Sequence, residues 1–197
     1  MALPSHKLTE DLSDLFREIA FELPEASEAE IEHFVKKACV KFCEESFFWH
    51  ESLSEIVIDA ELKVYDISYS RYADILKIVS VKCGDTPVEG WTQPGPGSIE
   101  LNLNAGDIVD IDVAIKPKEV NGTFKMSAQV LSDYYAAILA GSKSYLYKIP
   151  RKPWAYLTAA QINDAEFQKE IAAARLRQAD SFSRSPRRPP EKARHFF

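Results

Sequence analysis

The stretch Leu131-Ser-Asp-Tyr-Tyr-Ala-Ala-Ile-Leu-Ala-Gly-Ser-Lys-Ser-Tyr-Leu-Tyr-Lys-Ile-Pro-Arg-Lys-Pro-Trp154, with the residues that follow it to Asp180, decides the fold. Tyr135, Ile138, Leu139, Tyr145 and Leu146 recur at helical spacing on one face, and Ser132 has the short hydroxyl side chain that suits an N-cap. Ala140, Gly141 and Ser142 leave room for close backbone approach, and Pro150 ends the helix. Beyond the Pro150–Trp154 corner, Thr158 and Gln161 have the spacing of a capping box. Ile162, Ala165, Phe167, Ile171 and Ala174 then give a second helix its buried side. The stretch reads as a helical hairpin.

Toward the N-terminus a second helical pattern needs this hairpin as a partner. Ser27 and Glu30 have capping-box spacing, and Ile31, Phe34, Val35, Ala38, Phe42 and Cys43 repeat at three and four residues to about Phe47. The cluster Phe47-Phe48-Trp49-His50 reads as a plug between helix and sheet. Before it, Leu8, Leu12, Leu15, Phe16 and Ile19 outline a short amphipathic piece with Glu10, Asp11 and Asp14 at its start, where the helix dipole favours carboxylates.

Between the helical patterns the period changes to two. Ile56, Ile58, Leu62 and Val64 alternate with polar neighbours, and further strands are expected at 75–81, 98–103 and 108–116. Within the last of these, Ile108, Asp110, Asp112 and Ala114 face one way and Val109, Ile111, Val113 and Ile115 the other. Cys83–Pro87 and Trp91–Gly97 read as turn and loop, and Asn121-Gly122 as a hairpin turn. The expected class is α+β: an antiparallel helical bundle of one long helix and a C-terminal hairpin, with an inserted antiparallel β-domain and an extended tail. The expected divisions are residues 1–50, 51–127, 128–180 and 181–197. The last segment has three prolines, five basic side chains and no period, so it cannot fold alone; extended, it spans on the order of 50 Å.

The 197 residues are 46% hydrophobic and 27% charged with a net charge of −6, the balance of a soluble domain that can bury roughly 70% of its unfolded surface. The net charge argues against the whole protein wrapping nucleic acid, but the first thirty-odd residues are acidic and the tail is basic. No apolar run reaches about 18 residues and no signal peptide is evident, so a soluble protein made in a cytoplasm is expected. Cys39, Cys43 and Cys83 read as reduced, mostly buried small side chains. His6, His33, His50 and His195 form no metal-ligand frame, and His33 shares no helical face with Cys39. Asp107, Asp110 and Asp112 lack the glycine-bearing loop of a calcium site, and the glycines do not cradle phosphate. No catalytic or metal residue and no cofactor is expected.

Ala38-Cys-Val-Lys-Phe-Cys43, Ser46-Phe-Phe-Trp49, Ala137-Ile-Leu-Ala-Gly-Ser142, Pro150-Arg-Lys-Pro-Trp154 and Phe167-Gln-Lys-Glu-Ile-Ala-Ala-Ala-Arg175 carry a resemblance. Over residues 24–180 the chain resembles the head-to-tail connector or adaptor proteins of tailed bacteriophages, the ring below the portal. The resemblance implies a helical bundle with an inserted β-domain, in many copies, commonly twelve, around a DNA channel in the neck of the virion. It also implies a C-terminal extension against the portal, a role the tail matches by position and not by motif.

On that reading the tail residues Arg184, Arg187, Arg188, Lys192 and Arg194 pair with portal carboxylates while Phe196 and Phe197 fill apolar pockets. Tyr135, Ile138, Gly141, Tyr145 and Trp154 pack between subunits or helices, and Asp85, Trp91 and Gln93 meet the nozzle or tail tube. Genomic DNA would pass without sequence-specific binding, and no membrane is involved. Two other readings compete: a nucleic-acid-binding accessory acting through the basic tail, and a carbohydrate-binding module or small hydrolase around Tyr65, Tyr69, Tyr72 and Trp91.

Overall fold

In the computed structural model, which describes residues 8–9, 12–59 and 63–182, the elements follow in order: β1 (Leu8–Thr9), α1 (Ser13–Glu22), α2 (Glu28–Ser46), β2 (His50–Val57), β3 (Val64–Asp66), β4 (Ala73–Cys83), β5 (Thr86–Pro87), β6 (Thr92–Gly95), β7 (Ser98–Glu100), β8 (Ile108–Pro117), β9 (Met126–Ser127), α3 (Ala128–Tyr147) and α4 (Leu157–Phe182). The chain is α+β, and every strand pairing among the described residues is antiparallel. The sheets run β2-β8-β4-β5, β3-β7-β6 and β1-β9.

Helix α2 starts where the sequence says it should. The Ser27 hydroxyl accepts the Glu30 N–H at 3.3 Å, and the Glu30 carboxylate accepts the Ser27 N–H at 3.1 Å, so two orphan donors are satisfied reciprocally. Phe47 closes it in the left-handed region at φ 52°, and the chain turns into β2. The expected amphipathic stripe of α1 is present in Leu12, Leu15 and Ile19, but Leu8 belongs to a strand instead. Its backbone pairs with Ser127, which anchors the start of the chain beside α3.

Three helix readings are corrected. Helix α3 is capped by Ser127, not Ser132: the β9 strand delivers Ser127 in an extended conformation, and its hydroxyl accepts the Val130 N–H at 3.5 Å. Ser132 lies inside the helix, just before an irregularity at Tyr134 (φ −126°, ψ 24°). Helix α4 begins at Leu157, because the Tyr147 carbonyl holds the Tyr156 N–H at 3.1 Å and Tyr156 in turn accepts from Ala160, so Thr158 falls in the first turn and not at the cap. The buried face of α4 is Ala160, Phe167, Ile171 and Ala174; Ile162 and Ala165 are exposed. Ile162 lies about 140° around the helix from Phe167, since five residues at 100° each overshoot one turn by that much.

Helices α3 and α4 run antiparallel, as Tyr134 meets Arg177, Gly141 meets Phe167 and Ser144 meets Asp164 in descending order. Gly141 permits this: a Cβ there would stand 2.9 Å from the Phe167 ring. Phe42 of α2 joins them, its ring centroid 4.6 Å from Tyr134 and 6.5 Å from Phe167. Complete burial of Phe42 and Phe167 stabilises by about 1.5–3 kcal/mol each.

Strand β8 is central, with Val109, Ile111, Val113 and Ile115 all fully buried as alternation predicts. The loop expected over Trp91–Gly97 is in part strand β6, an edge strand with an irregular register between Thr92 and Gly95, which is where a sheet tolerates Pro94. The strand expected over 98–103 is shorter, Ser98–Glu100. Asn121 and Gly122 both have positive φ, 53° and 78°, closing a tight turn bridged by Val120 and Thr123. Core residues of the helices and the sheets form one continuous cluster.

Candidate interaction surfaces

Among the described residues, the large apolar side chains left in solvent lie at two ends of the molecule, except Leu176, which stands alone toward the end of α4. Phe21, at the close of α1, is 90% exposed and points away from the Leu15 and Ile19 stripe. Beside it lies the α3–α4 corner, because Glu22 accepts from Lys143 at 2.5 Å and from the Tyr147 hydroxyl, and Lys152 reaches Glu30 at 2.7 Å. That corner exposes Tyr156 and Leu157, and Ile162 follows one and a half turns later. The two clamps make this helical end a supported surface. Burial opposes charge on Glu22, but the hydrogen bonds from Lys143 and Tyr147 outweigh it and hold the carboxyl below the usual range. Lys152, then the Ser27 hydroxyl and N–H, bring Glu30 down to about 2.

The opposite end is the far edge of the sheets. Val57 and Ile108 are direct cross-strand partners, 61% and 53% exposed, at the ends of β2 and β8 farthest from the helices. Val64 is exposed on β3, which the Tyr65 hydroxyl ties to the Asp59 backbone at the end of β2. Isolated exposed aliphatics are ordinary on a protein surface; a set gathered at each end is what a contact surface would need. Sequence periodicity contained the signal for Phe21, which falls off the buried stripe of α1, whereas it put Ile162 on the buried side of α4.

A third feature is a cleft of about 520 Å³ lined in part by Tyr69, Ser70, Arg71, Asp74, Lys116 and Lys118. Arg71 lies 4.6 Å from the Tyr72 ring, and Lys125 covers the same ring at 4.8 Å. Lys118 meets Asp74 at 2.8 Å and Lys116 meets Glu44 at 2.7 Å. The sequence did not reveal this cluster, because its cations come from a loop, a strand end and the segment after β8.

Of the residues expected at interfaces, Ile138 is fully buried and Gly141 faces Phe167, so both pack within the chain. Tyr135 donates to Glu18 at 2.9 Å, and Tyr145 lies 6.0 Å from the Phe34 ring with Lys37 over it at 4.6 Å. Trp154 is half-buried under Lys152, and its indole N–H has no hydrogen-bond partner among the described residues. Asp85 is exposed in the β4–β5 turn. Trp91 packs on the core, and Gln93 is committed internally, accepting from the Ile78 N–H at 3.0 Å and so tying β6 to β4. Arg184, Arg187, Arg188, Lys192, Arg194, Phe196 and Phe197 lie outside the described residues. The end of α4 that leads to them is fastened by Arg175 to the Glu45 carbonyl, by Arg177 to Tyr134 and by Gln178 to His50.

Residues with chemical potential are engaged in the fold. Burial pushes the Cys39 thiol up to about 12 and Cys43 higher than usual, away from the thiolate a nucleophile needs. Asp112 accepts from Ser52 and Ser80 with Lys82 nearby, and although burial opposes its charge, these partners hold it below the usual range. Glu51 is buried against the Trp49 indole N–H at 2.8 Å, and burial together with Glu51 raises the Tyr69 hydroxyl to about 12. Among the described residues no His, Cys, Asp and Glu group could hold a metal, and no helix is long and apolar enough to cross a membrane. Tyr65, one of four aromatics considered for sugar stacking, is buried. No family model matches the chain, and no curated protein matches it.

Proposed function

We propose that this chain is a structural adaptor of a tailed-phage virion, a subunit of the ring that joins the portal to the nozzle or tail tube around the DNA channel. The observation that carries the reading is the placement of exposed apolar side chains at two opposite ends, Phe21, Tyr156, Leu157 and Ile162 at one and Val57, Val64 and Ile108 at the other. A link in a stack needs two such ends. The sequence resemblance favours the same reading, with commonly twelve copies. On this proposal the helices form a bundle, residues 51–127 are its inserted β-domain facing the tail, and the helical end faces the portal.

The tail completes the portal contact through Arg184, Arg187, Arg188, Lys192 and Arg194 with Phe196 and Phe197. Helix α4 carries the chain to residue 182 on the sheet side of the helices, so the tail, which extended spans on the order of 50 Å, would run back past them to bring its cations to carboxylates on a portal. The test is native mass spectrometry of the full chain, alone and with its portal ring. A complex holding a fixed number of copies per portal is expected even if free copies are monomeric, with docking reduced at least tenfold when residues 183–197 are removed. Failure of the full chain to join a portal would overturn the adaptor reading; unchanged docking of the shortened chain would overturn the role of the tail.

A further inference from the structure

Copies of this chain face an electrostatic obstacle to packing side by side, because each carries a net charge of −6. Close packing therefore needs opposite charges brought into register. The distribution within one copy supplies them. Residues 13–32 hold seven carboxylates against one arginine, and Glu25 and Glu28 stand exposed at the link between α1 and α2. The cleft beside Tyr69–Arg71 leans to the opposite sign: Lys118 is matched by Asp74 at 2.8 Å and Lys116 by Glu44 at 2.7 Å, while Arg71 on its lining and Lys125 over the adjoining Tyr72 ring add two further cations.

We propose that the cationic cleft of one copy receives the acidic α1–α2 surface of the next, so that copies join head to tail. The inference rests on the ring reading above and deepens it by naming the lateral contact. The cleft, at about 520 Å³, admits side chains from a helix link. Arg71 is exposed and held against Tyr72, which presents a guanidinium fork suited to a carboxylate in two-point contact. The two surfaces lie on different elements, so the contact is heterologous: repeated through a closing rotation it makes a ring, and otherwise a filament. Because the matched charges sit near solvent, the contact weakens as salt rises.

Charge exchange tests this on the full chain assembled with its portal. Arg71→Glu alone, a change at an exposed residue, is expected to weaken lateral assembly at least tenfold, as is Glu25→Lys with Glu28→Lys. The chain carrying all three changes restores the match and is expected to recover assembly, with circular dichroism confirming that each variant is folded. If Arg71→Glu assembles like the unaltered chain, or if the triple variant assembles no better than either parent, the contact is wrong. It is equally wrong if Arg71→Glu abolishes binding to duplex DNA while leaving the ring intact. If the unaltered chain never assembles with a portal, the adaptor reading fails and the lateral contact falls with it, whereas failure in the variants alone overturns only the contact.

Discussion

The two ends of the molecule are built differently although both present apolar side chains to solvent. At the helical end, side chains fix the surface: the Ser27–Glu30 box starts α2, Lys152 clamps Glu30, and Lys143 with Tyr147 clamps Glu22. At the sheet end, the backbone ladder does most of this work, and the ladder is irregular, with register shifts between Leu53 and Ile56 on β2 and twice along β4. Side-chain clamps can be removed one at a time. A ladder is lost more nearly as a unit, since each bond depends on its neighbours being in register.

Substitutions that break the comparison begin in the core beneath the helical end. Phe167→Ala should cost about 3–5 kcal/mol by denaturant unfolding, because it opens a cavity between α2, α3 and α4 that their backbones cannot close. Gly141→Ala should cost about 1–3 kcal/mol, since the added methyl meets the Phe167 ring at 2.9 Å. Surface changes should behave in the opposite way. Ile162→Glu at the helical end and Ile108→Lys at the sheet end should each shift stability by no more than about 0.5 kcal/mol, yet the first should impair joining to the portal and the second joining to the tail component. If both variants lost the same partner, the assignment of ends would be wrong.

The smallest effect sharpens the role of the clamps. Glu30 is depressed from 4.5 to about 2 by Lys152 and Ser27, so its contribution is fully present above the unfolded value and is lost as pH falls toward 2. Thermal melts of the unaltered chain and of Glu30→Gln should therefore differ at pH 6 and converge near pH 2. A gap that persists at pH 2 would assign the effect to packing instead of charge.

How much of this was legible in the sequence follows the same division. The start and end of α2, the buried face of β8 and the Asn121-Gly122 turn were readable, because a capping box, strict alternation and a two-residue turn are local signals. The start of α3 was misplaced since Ser127 and Ser132 offer the same hydroxyl, and only the pairing of β9 with β1 selects the first. Ile162 was placed inside because apolar residues on two faces of α4 blur its period. Strand β6 was hidden by Pro94, a residue that a sheet accepts only at an edge the sequence does not announce. The cationic cleft was invisible for a related reason: Arg71, Lys118 and Lys125 are brought together by tertiary structure alone.

The central claim is that the two exposed apolar ends grip two different neighbours. Its most direct test is a crosslinking map of the full chain assembled between its portal and its tail component. Portal crosslinks should fall on residues 150–162 and 183–197, with tail-component crosslinks at 57–64 and 106–108. Crosslinks from both partners to a single end, or to neither, would contradict the account.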